Sequence, residues 1–202
     1  MMADLRTMDV RDLDVRALRA AGQVIAQVTA ADLARPTPCA SWSLAELLRH
    51  LVSENLGFAA NAAGTPVDRS IWDSGALGTD PYRAYQDSAT LVSAAFSVLG
   101  AGDHQIEVRE FGVFPSQVAI SMHFVDFLVH GWDVAVSLAA SYRPDDELAA
   151  NALAIASRWP DTPNSRGPGA AFNTRVPVPT DATNFERLLG LLGRSPSWAP
   201  PC

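Results

Sequence analysis

Apolar residues in this chain recur at three- and four-residue intervals through most of its length, the spacing that lines one face of an α-helix. Between about Val10 and Leu33 they fall at Leu18, Ala21, Ile25 and Val28, which predicts a first helix. "RPTPCAS" then breaks the pattern, because each proline disfavours helix in the residue before it. A second helix is predicted in "SWSLAELLRHLVSENLGFAANAAG", opened by Ser43 and Glu46 as a capping box and stopped by Gly64 and Pro66. "TPVDRSIWDSGALGTDP" reads as a loop, long enough to form a lid or rim over a site. Pro81 suits the first turn of a third helix running through Leu99, with Leu91, Ala95, Val98 and Leu99 on its buried side and Gly100 and Gly102 at its end.

"HQIEVREFG" reads as a short strand or extended segment. The longest helix is expected from near Pro115 to about Ala140, and a further one in "PDDELAANALAIASRW", whose acids complement a positive helix N-terminus. Five prolines and two glycines make Pro160 to Pro179 irregular, and "NFERLLGLLG" follows as a short helix. No internal repeat is present. Four main helices with apolar stripes predict an all-α fold, an antiparallel four-helix bundle over residues 1–159. Residues 160–202 are expected as a Pro-rich irregular segment and short C-terminal helix packed on it.

Composition supports a globular chain: 202 residues, 48% hydrophobic and 18% charged. The net charge is −7, all fifteen basic residues are Arg, and no basic patch marks a nucleic-acid surface. Cys39 and Cys202 have no disulfide-framework spacing, and "MMADLRTMDVRDLDV" lacks the apolar core of a signal peptide. No apolar run reaches the ~18 residues of a membrane span. A cytoplasmic protein without membrane or nucleic-acid partners is expected. GxSxG elbows, phosphate-binding glycine loops and paired CxxC motifs are absent from the sequence.

Chemistry enters where "SMHFVDFLVHGWDVAVSLAA" interrupts its own apolar run. On a helix His123, Asp126 and His130 fall within an arc of about 60°. Asp126 and His130 are one turn apart, so carboxylate and imidazole can converge on one divalent ion. They would serve equally as a hydrogen-bonded couple that fixes helix packing. His50 interrupts the second helix in the same way, and three ligands from two helices would leave a coordination position open, as catalytic sites do. Glu54, one turn further, could accept a hydrogen bond from a ligand, act as a general base, or be a solvated acid. For His123 the options are ligand, support, proton shuttle or packed side chain, the last being the default. Asp133 is expected in a structural role, paired with a ligating His or an Arg of the first helix. Trp42 and Trp132 should be core or pocket-wall aromatics. Cys39 is expected as a small packed side chain with no base that can be placed beside it, and His104 has no identifiable partner.

"TPCASWSLAELLRHLVSENLGFA" and "HFVDFLVHGWDVAV" resemble the actinobacterial metal-binding branch of the DinB/YfiT-like superfamily, related to the N-terminal domain of mycothiol-dependent maleylpyruvate isomerase. "VPVPTDATNFERLLGLLGRSPSW" is similar to that branch's tail, so the resemblance reaches most of the chain. It implies a four-helix bundle holding one divalent metal, Zn or Ni, with His50, Asp126 and His130 as ligands. Many relatives carry a third histidine in place of the acid, and the isomerase a Glu where this chain has Asp126. The shorter side chain leaves denticity and metal identity open. The isomerase's additional C-terminal domain has only a short tail as its counterpart here, so activity on maleylpyruvate is not expected without another partner. What the resemblance implies instead is a transferase or isomerase in which a low-molecular-weight thiol such as mycothiol, bound to the metal as thiolate, attacks a small electrophile. A metal-dependent hydrolase and a non-enzymatic metal-binding stress-response protein are the alternatives, and a homodimer fits such bundles.

Overall fold

The first helix, α1 (Val10–Ile25), buries Val10, Leu13, Ala17, Leu18, Ala21, Val24 and Ile25 on one face and is capped by Asp9, whose side chain accepts from the Arg11 amide. It ends eight residues before the expected Leu33. Thr29 and Asp32 exchange hydrogen bonds as a capping box and turn the chain through a 3-10 segment, Ala30–Asp32, instead. Such local side-chain bonds compete with continued helix. The Ser43–Glu46 capping box forms as expected and starts α2 (Leu44–Ala62). Gly64, at φ +69°, lies just past its end.

A 3-10 turn, Arg69–Asp73, follows in the expected loop and lays Trp72 against α2. Gly57 permits this, because a Cβ there would stand 2.2 Å from the indole. In α3 (Pro81–Ser97) the buried face is Tyr85, Ser88, Val92 and Phe96, not the face expected from Leu91 and Val98, which are exposed. Two aromatic rings bury more area than the aliphatic stripe beside them, and they set the rotation of the helix. The mostly helical chain also carries one small antiparallel hairpin, β1 (Gln105–Val108) and β2 (Gly112–Pro115), with Ile106 opposite Phe114. β1 is the strand expected in "HQIEVREFG"; it alternates exposed and buried positions and turns Ile106 and Val108 inward. Just past the longest helix, α4 (Ser116–Ser137), Ala139 takes a left-handed φ of +55° that lets the Ala140 amide reach back to the Ala135 carbonyl. Helices α5 (Asp146–Ala156) and α6 (Asn184–Leu191) follow, and between them the chain has no regular element among the described residues.

The computed structural model describes residues 8–39, 41–64, 68–99, 104–162, 165–167 and 172–200. Pro66, Gly100, Gly102 and Cys202, singled out in the sequence, lie outside them. The chain is mostly helical: α1 lies on α4 and α3, α2 on α3 and α4, and α5 joins α4 to α6. A buried line of hydrogen bonds crosses the four longest helices. His123 Nδ1 of α4 lies 2.7 Å from Asp14 Oδ1 of α1, and its Nε2 lies 3.1 Å from Asn55 Oδ1 of α2. Asn55 then donates to Ser88 Oγ of α3 at 2.9 Å. Apolar packing alone tolerates sliding, whereas this line has one register in which every helix contributes a partner. No helix among the described residues is long and apolar enough to cross a membrane.

Candidate metal centre

His50 comes from α2 between the buried Leu48 and Leu51, and Asp126 and His130 come from one face of α4. Contact between α2 and α4 brings the three together across the sequence gap. His130 Nε2 lies 3.2 Å from Asp126 Oδ1, and His50 Nε2 lies 3.7 Å from Asp126 Oδ2. One ligand atom from each residue falls within 4.8 Å of the others. Ligands at the usual ~2.0–2.2 Å from a zinc-like ion stand about 3.0–3.5 Å apart. The donor set, two imidazoles and a carboxylate, suits such an ion, and Asp126 Oδ2 is buried without a hydrogen-bond partner. These residues therefore fit a divalent metal.

Each imidazole is backed by a carboxylate, and each carboxylate by an arginine. His130 Nδ1 lies 2.8 Å from Asp133 Oδ2, which also accepts from Arg194 Nη2 at 3.1 Å. His50 Nδ1 lies 3.5 Å from Glu54 Oε1, and Glu54 is bound by Arg109. A carboxylate on the far nitrogen fixes the tautomer that points Nε2 at the cluster, the usual support for a metal-ligating histidine. Asp133 was expected to pair with a histidine or with an Arg of the first helix. It does pair with His130, but the arginine follows α6.

The charges follow this geometry. Burial disfavours the imidazolium of His130, yet Asp126 and Asp133 outweigh it and hold its pKa well above the usual value. Asp126 is held well below the carboxylate range, since the His130 and His50 rings overcome its burial. Asp133 is also lowered: burial opposes ionisation, and Arg194 and His130 more than offset it. Glu54 is raised by burial, with His50 and Arg109 pulling down and Asp126 adding to the rise.

The cluster opens on a cavity of about 780 Å³. Trp42 forms part of its wall, with its ring 4.7 Å from that of His50. The loop carrying Trp72 and Asp73 and the hairpin tip carrying Arg109 and Phe111 line it as well. So do Trp159, just past α5, and the tail, through Phe172 and Arg194. His123, the other histidine of α4, is fully buried among Phe58, Phe96 and Phe127 and is absent from both the cavity lining and the converging ligand atoms. His104 is exposed, while Trp132 is buried in the core.

Cys39 differs from its expectation as a packed side chain without a base. It lines the cavity half-buried, with Sγ 3.5 Å from both Asp133 Oδ2 and Arg194 Nη2. With His130 and Asp133 it forms a second group of metal-ligating type, but the Arg194 guanidinium already supplies a cation there. Arg109, Arg194 and the wall residues Trp159 and Phe172 had no signal of their own in the sequence. The buried acids implied cationic partners, and nothing in spacing said which arginines.

Residues 15–135 match the profile of a family described as the mycothiol maleylpyruvate isomerase N-terminal domain. The match spans His50, Asp126, His130 and Asp133 but ends before Arg194. Two uncharacterized proteins of Mycobacterium tuberculosis are similar over a longer reach: MT0763 of strain CDC 1551 / Oshkosh and Rv0738 of strain H37Rv. Each is 32% identical over 180 residues, covering 89% of this chain and 94% of the relative. No solved structure matches the chain.

Proposed function

The chain belongs to the mycothiol maleylpyruvate isomerase N-terminal domain family, and from that premise we propose that it binds one divalent metal through His50, Asp126 and His130 and uses it for thiol-dependent transfer or isomerisation of a small electrophile. The observation that carries the reading is the Asp126 carboxylate lying between two imidazoles at the cavity wall, Oδ1 toward His130 and a buried, unpartnered Oδ2 toward His50. A divalent ion there would bind a small thiol, mycothiol or a relative, as its thiolate at neutral pH. The rest falls to the protein. Asp133 and Glu54 hold the outer ring nitrogens, so that both Nε2 atoms face one point. Arg194 and Arg109 hold those carboxylates in place and favour their ionised forms. Trp42 packs on His50 and limits water on that side. His123, tied to Asp14 and Asn55, is assigned to packing.

The same reading takes the helices α1 to α4 as a DinB-like four-helix bundle within residues 1–159. It takes 160–202 as a tail that completes the cavity wall through Phe172 and Arg194. A metal-dependent hydrolase would need a free base beside the metal. The two acids beside the proposed ligands, Glu54 and Asp133, are each occupied by an arginine, Arg109 and Arg194, which favours the thiol-dependent reading. Metal analysis of purified protein, followed by assays of electrophile consumption with and without a small thiol, separates these readings. About one divalent ion per chain and turnover only with thiol are expected. Ester hydrolysis without thiol points to the hydrolase, and failure to take up metal under any reconstitution removes both.

A further inference from the structure

Helix α1 buries one face against α4 and α3, and at its side Arg16 pairs with Asp145 and Glu147 of the α5 N-terminus. Its exposed residues are Asp12, Val15, Arg19 and Gln23, which fall within an arc of about 80°. Val15 is an aliphatic side chain 41% exposed in the middle of this stripe. Val15, Arg19 and Gln23 form one wall of an open groove of about 450 Å³, and Tyr82, Gln86 and Thr90 of α3 stand on the other. No charged residue lines the α3 wall.

The ion pairs of α1 take Asp9, Arg11 and Arg16 and leave Asp12 and Arg19 without one among the described residues. Seven positions separate these two, about 10.5 Å along the axis, too far for them to pair within one helix. Together they make the exposed face of α1 neutral, whereas the chain carries a net charge of −7. Two copies therefore repel as wholes but can approach on this face without local repulsion.

The face is also complementary to itself. Laid antiparallel about a two-fold axis between Val15 and Arg16, two α1 helices bring position 12 of each opposite position 19 of the other. Asp12 then meets Arg19 twice, and the two Val15 side chains lie between these pairs. A closed symmetric contact requires this reciprocity of positions.

We propose that the exposed face of α1, with the groove beside it, binds a second copy of this chain in a symmetric antiparallel contact held in register by two Asp12–Arg19 pairs. The pairs are exposed, so the dimer is weak and sensitive to salt, and the charges set its register more than its strength. The inference goes beyond the metal–thiol reading, because the groove and the cavity share no lining residue.

Sedimentation equilibrium of the full chain at low salt, with a reductant to prevent cysteine crosslinks, tests it. A monomer–dimer equilibrium is expected at about 100 µM protein; a chain that stays monomeric, or one that forms larger assemblies, overturns the proposal. Arg19→Asp and Asp12→Arg each set like charges opposite one another twice and should weaken the dimer about tenfold or more. Mixed in equal amounts, these two variants carry opposite charges at both contacts, and a heterodimer of about wild-type strength should form. A mixture that remains monomeric contradicts the two-fold register. Circular dichroism establishes that each variant is folded. Val15→Glu, which places like charges beside the axis, should break the dimer as well and serves where a charge reversal does not fold. A dimer that the folded variants leave unchanged lies on another surface, such as the exposed Leu91 and Val98 of α3, and overturns the proposal. These measurements involve neither metal nor thiol, so their failure leaves the metal–thiol reading standing, and loss of that reading shows in metal binding instead.

Discussion

Asp133 is fully buried, and one of its oxygens accepts from His130, Arg194 and Cys39 while the other has no partner. Asp133→Asn leaves a fully buried site without the charge that pairs with the half-buried Arg194 and should destabilise metal-free protein by about 3 kcal/mol near neutral pH, measured by urea denaturation. The folded-state pKa of Asp133 is lowered, so its stabilising contribution is present above the ordinary carboxylate range and is lost as pH falls through the lowered value. The gap between wild type and variant should therefore narrow on acidification; a gap that widens contradicts the assignment. His123→Gln tests the other histidine of α4. It leaves Asp14 buried with a weaker partner and should cost about 3 kcal/mol, yet leave metal affinity within about twofold. At this scale the sequence carried the three proposed ligands, because helical spacing puts Asp126 and His130 one turn apart and His50 interrupts an apolar stripe. It carried nothing of Arg194 or Arg109, since contacts across 61 and 55 positions leave no periodic trace. Cys39 was visible, but the base beside it was not, for the same reason.

Among the elements, the hairpin is the one the pattern half-concealed. β1 alternates buried and exposed residues and is readable as a strand, whereas its partner Gly112–Pro115 is short and carries no buried position. The turn between them holds Arg109 at φ +42°, a conformation that costs a non-glycine residue about 1 kcal/mol or more. Its guanidinium ties the hairpin to Glu54 of α2, to the Trp72 carbonyl of the 3-10 turn and, 5.5 Å away, to the face of the Trp72 ring. Arg109→Ala and Arg109→Gly both lose these ties, but only glycine relieves the backbone. The glycine variant should be about 1 kcal/mol more stable than the alanine variant in chemical denaturation, with metal affinity reduced alike in both. Equal stabilities would mean that the turn holds no strain. The helices were legible for the opposite reason: capping signals such as Ser43–Glu46 are local. Where long-range packing decided, as in the rotation of α3 onto Tyr85 and Phe96, the aliphatic stripe misled.

For the whole molecule, residues distant in sequence meet at one cavity. The second and fourth helices supply the cluster, the hairpin and the 3-10 turn supply Arg109 and Trp72, and the tail supplies Arg194 and Phe172. An irregular segment rich in proline has no periodicity to say where on the bundle it packs, and its side chains form part of the cavity wall. At this scale the central proposal is that His50, Asp126 and His130 hold a divalent ion with a position open to a thiol. Titration of the metal-free protein with cobalt(II) in the presence of a small thiol tests it most directly. The account predicts saturation at about one ion per chain, a sulfur-to-cobalt charge-transfer band that grows only with thiol, and loss of both in His130→Ala. Cobalt that does not saturate, or a bound ion whose spectrum no thiol changes, would contradict it.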